Sequence, residues 1–207
     1  FGVAAHQHAL DAAPPLGAQH DHRGTPLAGV PDHQARHPAA AALDQVAAVA
    51  AERKPRNGLY LYSASTGNGK TEAACALAQS FIVARTKKAI TTGTSTGQLV
   101  QFVNTTELLD QLRRAMDDDH AMERARSLIR RVEQASLVVL DDVGSEKPSP
   151  WVEERFYSII NGIWTRRTNQ TMIVTSNVPL QALEMRLGAR VRSRVEGLTV
   201  LVEFKGD

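Results

Sequence analysis

Beyond residue 57 the apolar positions fall into two alternating patterns. Consecutive apolar runs predict buried strands at Leu59–Tyr62, Leu99–Val103, Ser136–Leu140, Thr171–Thr175 and Leu198–Phe204. Between them the apolar residues recur at helical spacing. Thr71–Ala84 predicts one helix, and Thr106–Met116 (Leu108, Leu109, Leu112, Met116) and Met122–Val132 (Leu128, Ile129, Val132) predict two more. Pro150 suits the first turn of a helix reaching about Arg166, with Val152, Phe156, Ile159, Ile160 and Ile163 facing inward. Leu180–Arg194 predicts one or two short helices. Apolar strands separated by helices imply an α/β fold with a parallel sheet covered on both faces. Ligands of such sheets bind at the carboxyl edge, where strands turn into helices.

Residues 1–56 break the pattern. Ala, His, Pro and Gly dominate there, and six of the seven histidines lie in residues 1–37. Few large apolar residues are available to offset chain entropy, so a low-complexity, partly disordered segment is expected before a folded domain at 57–207. One Ala-rich helix is expected within residues 39–52, around Leu43, Val46 and Val49. His6, His8, His20, His22, His33 and His37 have spacings that suit a metal. No cysteine accompanies them, however, and the nearby aspartates complete no ligand set, which favours a polar linker or tail.

At 207 residues the chain has room for one domain with a core, plus a tail. A formal net charge of +2 does not mark the whole chain as a nucleic-acid binder, so any basic surface must be local. No apolar run is long enough to span a membrane, and no signal peptide is expected. The Phe1 start and the Lys205-Gly206-Asp207 end suggest a fragment. The single cysteine, Cys75, excludes an intrachain disulfide. It falls on an apolar helical stretch, so a buried, inert thiol in a reducing cytoplasm is expected.

Candidate chemistry lies at the strand ends. Gly67-Asn68-Gly69-Lys70-Thr71 follows the first strand and opens a helix, as in the phosphate loop G-x4-G-K-[ST]. Ala64 stands where that pattern has its first glycine, so the Ser63–Thr66 stretch departs from the commonest loop. Gly67 and Gly69 let backbone N–H groups face phosphate oxygens, and the helix dipole points to the same place. Ser65, Thr66, Gly67, Asn68, Gly69, Lys70, Thr71 and Glu72 are therefore the expected ATP-binding segment. Lys70 would reach the β- and γ-phosphates, and the Thr71 hydroxyl would ligate Mg²⁺. The strand Leu137–Leu140 runs into Asp141 and Asp142. There Asp141 would hold Mg²⁺ and Asp142 would orient or deprotonate the attacking water. Thr175-Ser176-Asn177 ends another apolar strand, which puts Asn177 between the γ-phosphate and that water. Arg190-Val-Arg-Ser-Arg194 precedes the last strand. It reads either as a solvated helix face or as an arginine finger offered to a neighbouring subunit's ATP.

This ordered set resembles the AAA+ ATPases. The stretch Val139-Leu-Asp-Asp-Val-Gly-Ser-Glu-Lys-Pro-Ser-Pro-Trp-Val-Glu-Glu-Arg-Phe-Tyr-Ser-Ile-Ile-Asn161 is similar to the DnaC/DnaI-type replicative helicase loaders. Thr175-Ser-Asn177 and Gly188-Ala-Arg-Val-Arg-Ser-Arg194 fit the same family, and the resemblance covers about residues 57–204. It implies a P-loop AAA+ core with a five-stranded parallel sheet and no large helical lid. It also implies an ATPase that loads a hexameric replicative helicase onto single-stranded DNA and assembles as a homo-oligomer through shared ATP sites. By position, Lys70 and Thr71 take the Walker A roles, Asp141 and Asp142 the Walker B roles, and Asn177 sensor I. Arg194 matches the finger, with Arg190 a second interface arginine. A loader's amino-terminal helicase-binding domain has no counterpart in the short, polar residues 1–56.

Single-stranded DNA contact is expected through Arg113, Arg114, Arg124, Arg126, Arg130 and Arg131, on the two helices before the Asp-Asp strand. Asp117-Asp-Asp119 interrupts that basic face. Two alternatives share the ATP site. One is an IstB-type transposition helper acting on duplex DNA. The other is a non-hydrolysing, nucleotide-switched adaptor, which Asp142 in place of the commoner Glu keeps open. A small-molecule kinase is disfavoured, because no lid rich in phosphate-binding arginines is evident.

Overall fold

The computed structural model describes residues 58–116 and 118–204. The histidines of the first 37 residues and the helix expected within 39–52 lie outside that range. The described chain alternates strand and helix: β1 (Gly58–Tyr62), α1 (Lys70–Thr92), β2 (Val100–Asn104), α2 (Thr105–Arg114), α3 (Asp119–Gln134), β3 (Leu137–Asp141), α4 (Pro150–Thr165), β4 (Thr171–Ser176), a 3₁₀ turn (Leu180–Ala182), α5 (Leu183–Leu187), α6 (Ala189–Leu198) and β5 (Thr199–Glu203). The strands form one sheet in the order β2-β3-β4-β1-β5. Every pairing is parallel, as the helix-separated apolar strands require. Among the described residues no helical lid follows β5.

The central strands are largely apolar because they serve two cores. In β3, Val138 and Leu140 join Tyr60, Met172 and Val174 under α2, α3, α4 and α6. Leu137 and Val139 face the other way, with Leu61, Ile173 and Val202, onto Ala73, Ala74 and Ala78 of α1. Alternate residues of one strand thus supply opposite layers. The sheet is tight at its amino edge. A Cβ on Gly58 would lie 2.4 Å from the Met172 carbonyl oxygen and 2.8 Å from that of Leu198, so only glycine fits between β4 and the end of α6.

Helix ends follow their caps. Asn104 Oδ1 accepts from Glu107 N at 3.1 Å to start α2, and Ser149 Oγ accepts from Val152 N at 3.2 Å ahead of Pro150 in α4. Asp118 Oδ1 accepts from His120 N at 2.8 Å to open α3. The largest departure from the sequence pattern is α1, which runs to Thr92 rather than Ala84. No Gly or Pro interrupts it before Gly93, whose left-handed φ of 66° ends it. Its final turns leave Val83 and Ile90 exposed, so apolar periodicity had faded while helix propensity had not. Cys75 on α1 is half-buried rather than fully enclosed.

Candidate nucleotide site

The loop between β1 and α1 lies at the carboxyl edge of the sheet. Gly67 (φ 76°) and Gly69 (φ 83°) adopt the left-handed backbone that only glycine takes readily. Ala64 does not have a positive φ, so the missing glycine removes no conformation this loop uses. Gly69 caps α1 without a side-chain hydrogen bond, so no capping side chain occupies the positive end of the helix, where an anion is favoured. The loop is braced from within. Ser63 Oγ accepts from Ser65 N at 3.3 Å and from the Asn68 amide, while Ser63 N donates to Ser176 O at 3.2 Å.

Lys70 is folded back onto this loop. Its Nζ donates to Ser65 O at 2.9 Å and to Asn68 Oδ1 at 3.0 Å. Burial lowers its pKa, and the carboxylates of Asp142 and Asp141 oppose that shift. Thr71 Oγ1 donates to Asp141 Oδ1 at 2.9 Å, bringing a hydroxyl from the first turn of α1 and the carboxylate that ends β3 together. A hydroxyl and a carboxylate beside a phosphate loop are the hard oxygen donors that Mg²⁺ takes, with waters and phosphate oxygens completing its shell. Thr71 and Asp141 therefore fit that ion. Among the described residues no cluster of three His, Cys, Asp or Glu side chains suits a metal independently of a nucleotide.

Three hydroxyl residues to which the sequence assigned no role hold the acidic pair and the residue after it. Thr175 Oγ1 donates to Asp141 Oδ1 at 2.7 Å and accepts from Asp142 N at 2.9 Å, tying β4 to the end of β3. Thr105 Oγ1 sits between the carbonyls of Asp141 (3.0 Å) and Asp142 (3.1 Å). Ser176 Oγ donates to Val143 O at 2.5 Å and accepts from Val178 N at 2.9 Å. The available signal was a hydroxyl residue at the carboxyl end of each buried strand, and such residues are too common there to be diagnostic. The network fixes Asp142 at φ 61°, left-handed backbone that aspartate tolerates better than most residues.

Asn177 follows β4 directly, and its Oδ1 is buried with no hydrogen-bond partner among the described residues. A buried acceptor without a partner at the rim of a phosphate loop is what a water or ligand contact would satisfy. Beyond it, the buried Tyr60 hydroxyl donates to Val178 O at 2.7 Å and pins the segment, and burial pushes that phenol's pKa up. Glu146, five residues past Asp141, is buried; its Oε2 accepts from Gly144 N at 2.8 Å while Oε1 has no hydrogen-bond partner among the described residues. Burial, reinforced by the charge of Asp142, raises its pKa against the pull of its hydrogen bonds.

Arg190 and Arg194 do not join this cluster. They lie on α6, with their guanidinium groups over the rings of Tyr157 (4.5 Å) and Trp164 (4.6 Å) of α4. The arginines of α2 and α3 are partly committed within the chain. Arg124 pairs with Asp118 at 3.7 Å and Arg130 with Glu123 at 2.8 Å, Arg113 covers Trp151 at 5.1 Å, and Arg131 bonds Ser127 and Gln101 at 3.0 and 3.3 Å. Between the two helices runs an apolar groove over Leu112, Met116, Met122, Ala125 and Ile129, rimmed by Arg126 and Arg130. No helix among the described residues is long and apolar enough to cross a membrane.

Comparison with known proteins places the chain. The sequence family described as IstB-like ATP binding protein matches residues 33–193, more than half of the chain. No curated protein matches it. Among solved structures it is similar to the DnaC helicase loader, with 26% identity over 80% of this chain and 89% of that one and a TM-score of 0.57. Its similarity to DnaI (23% identity, 86% of this chain and 88% of that one, TM-score 0.56) is one of fold. So is its similarity to domain III of the Thermotoga maritima replication initiation protein DnaA (15%, 82% and 63%, 0.59). The chain belongs to the IstB-like ATP-binding proteins, with a P-loop AAA+ core of the DnaC type.

Proposed function

We propose that the chain hydrolyses ATP and serves DNA replication as a loader that delivers a hexameric replicative helicase to single-stranded DNA in the cytoplasm. The likeness to the DnaC helicase loader, over most of both chains, carries this reading. Residues 57–207 form the ATPase domain in this proposal, preceded by a low-complexity segment over residues 1–56.

The site residues take roles that follow from their chemistry. Backbone N–H groups from Ser65 to Glu72 cradle the phosphates, and Lys70 exchanges the Ser65 and Asn68 oxygens for phosphate oxygens. Thr71 and Asp141 would hold Mg²⁺, which would supply charge neutralisation to the phosphates. Asp142 orients the attacking water and accepts one proton from it, and Asn177 Oδ1 accepts a hydrogen bond from the O–H that remains. The new P–O bond forms in line with the breaking bond to the β-phosphate, and ADP leaves. Arg194, assisted by Arg190, meets the transferring phosphoryl group of a neighbouring subunit. Single-stranded DNA lies along α2 and α3. Its bases cover the methionine-lined groove, and Arg113, Arg114, Arg124, Arg126, Arg130 and Arg131 serve its phosphates. Arg124 and Arg130 then exchange their half-exposed carboxylate partners for phosphate, so this binding is salt-sensitive.

Membership of the IstB-like proteins favours a second reading, a transposition helper acting on duplex DNA. ATP turnover measured without DNA, with single strands and with duplex separates the two, together with an ATP-dependent pull-down scored for helicase against transposase. Stimulation by single strands and recovery of the helicase support the loader. Duplex preference with transposase supports the helper. Lys70→Ala is expected to abolish nucleotide binding, and normal ATP affinity in that variant would sink the site assignment.

A further inference from the structure

We infer that Tyr157 and Trp164 form an aromatic ledge that positions Arg190 and Arg194 for the ATP phosphates of a neighbouring subunit. This rests on the proposed trans role of Arg194 and adds the residues that make it possible.

The segment 190–194 places three arginines at every second position of α6. On a helix, positions 190 and 194 share a face and 192 points away from it. The chain treats the two faces differently. Arg192 is tied to Glu184 at 3.6 Å and Glu196 at 3.2 Å. Arg190 and Arg194 have no carboxylate within ion-pair distance among the described residues, and each lies over a ring instead. Tyr157 and Trp164 are seven residues apart on α4, two turns along one helix face.

The difference has a chemical consequence. A carboxylate partner neutralises a guanidinium and must be displaced before phosphate can bind. An aromatic face holds the same group through its quadrupole, leaving its charge and edge N–H donors available. The ledge is also built to measure. A Cβ on Gly197 would lie 2.5 Å from Trp164 Cζ3, so α6 lacks a side chain where the indole sits. Glycine inside a helix is destabilising by about 1 kcal/mol relative to alanine, so local helix stability does not explain it. Arg167 lies over the same indole at 4.7 Å and donates to the Trp164 carbonyl at 2.9 Å, holding the ring from the end of α4.

The topology separates the Trp164 end of the ledge from the chain's own phosphate loop. The loop follows the carboxyl end of β1, whereas Leu198 at the end of α6 touches Gly58 at the amino end of the same strand. Trp164 ends α4 just before β4 enters the sheet at that same edge. A five-residue strand spans roughly 13 Å at 3.3 Å per residue. Trp164 sits toward the edge away from the chain's own loop, and Arg194 lies over it one turn before the end of α6, a placement that suits a phosphate arriving on another subunit.

The test uses the full chain and steady-state ATP turnover with single-stranded DNA. Trp164→Leu removes the ring and keeps an apolar side chain. It should lower kcat by roughly tenfold, the scale of one desolvated cation–π contact, with KM for ATP within about twofold. Trp164→Phe should recover most of the loss. Mixing Trp164→Leu with Lys70→Ala protomers should restore turnover, because each supplies the half-site the other lacks. If Trp164→Leu retains full turnover while Arg194→Ala is impaired, the ledge is wrong and the finger stands. If Arg194→Ala is unaffected, the trans reading itself fails. If the mixture stays inactive while the equivalent Arg194→Ala mixture recovers, Trp164 acts on its own subunit and the inference is overturned. Should the leucine variant not fold, ring-fluorinated tryptophan in a Trp151→Phe background keeps the shape and weakens the quadrupole. Turnover should then fall stepwise with fluorination, and a flat series overturns the ledge.

Discussion

Replacing Thr175 with valine keeps the side-chain shape and removes one hydroxyl that does two jobs. In the native chain it donates to Asp141 Oδ1 at 2.7 Å and carries the Asp142 N–H at 2.9 Å, on a residue only 1% exposed. Valine leaves a buried N–H with no acceptor, which costs about 1–3 kcal/mol, and removes a hydrogen bond to an ionised group worth about 1.5–3 kcal/mol. Thr71 still donates to the same carboxylate oxygen, so the second loss should fall at the low end of its range. The expected destabilisation is about 3 kcal/mol, equivalent to a fall in Tm of roughly 6–12 °C for a chain of this size. Urea denaturation with an unchanged m-value measures it. Thr175→Ser, which keeps the hydroxyl, should recover most of the difference. Function should respond as well, because the released N–H belongs to the residue assigned to orient water, so turnover should fall more than nucleotide affinity. A valine variant within about 0.5 kcal/mol of wild type, the scatter of neutral surface changes, would refute the bridging role of this hydroxyl.

Two further perturbations probe the same edge-to-edge design. Gly58→Ala puts a methyl group against two backbone carbonyls at 2.4 and 2.8 Å, where no side chain can swing away. It should destabilise by about 1–3 kcal/mol in thermal unfolding, and an unchanged Tm would contradict the close approach of β1 to β4 and α6. Glu146 has a pKa raised by burial, so the native state keeps a proton that the unfolded chain has already released. Its contribution therefore weakens stability as pH rises from the ordinary glutamate value of about 4.3 through the raised native one. Glu146→Gln should flatten that segment of the stability–pH curve, and an unchanged curve would show that the carboxyl is not titrating there.

The fold was legible because its strands are buried on both faces. Continuous apolar runs such as Leu137–Leu140 occur where helices cover both sides of a sheet, and turn signals separate them cleanly. The phosphate loop was legible because its glycines are conformationally required at 67 and 69. Ala64, the apparent departure, proved immaterial on the same criterion. What the sequence concealed were interactions between strand ends. Thr105 carried no signal, and Thr175 and Ser176 were read only as the lead-in to Asn177, until parallel pairing set them beside Asp141 and Val143. The arginine segment was ambiguous for a related reason. Spacing alone puts Arg190 and Arg194 on one face, but only the packing of α6 on α4 shows that this face meets aromatic rings while Arg192 meets carboxylates.

Those observations constrain how subunits would meet on the proposed reading. The phosphate loop and the Asp141–Asp142 pair sit at the carboxyl edge of the sheet, while Arg194 and Trp164 lie toward its amino edge. A contact joining one subunit's loop to another's arginine therefore uses two different surfaces, as a head-to-tail arrangement does. Such head-to-tail contacts close into a ring if the rotation per subunit divides a full turn, and otherwise open into a filament. Each interior subunit then both holds an ATP and completes its neighbour's site, whereas a terminal subunit of an open filament has one half-site unused. Turnover per subunit should rise steeply with concentration as isolated chains give way to neighbours, because hydrolysis needs two subunits even though binding needs one. With Lys70, Thr71 and the loop holding ATP within a single chain, as proposed, its affinity should change much less over the same range. A turnover per subunit that stays constant from well below to well above the assembly concentration would place the complete catalytic site within one chain, and the arginines of α6 would then serve only to pack against α4.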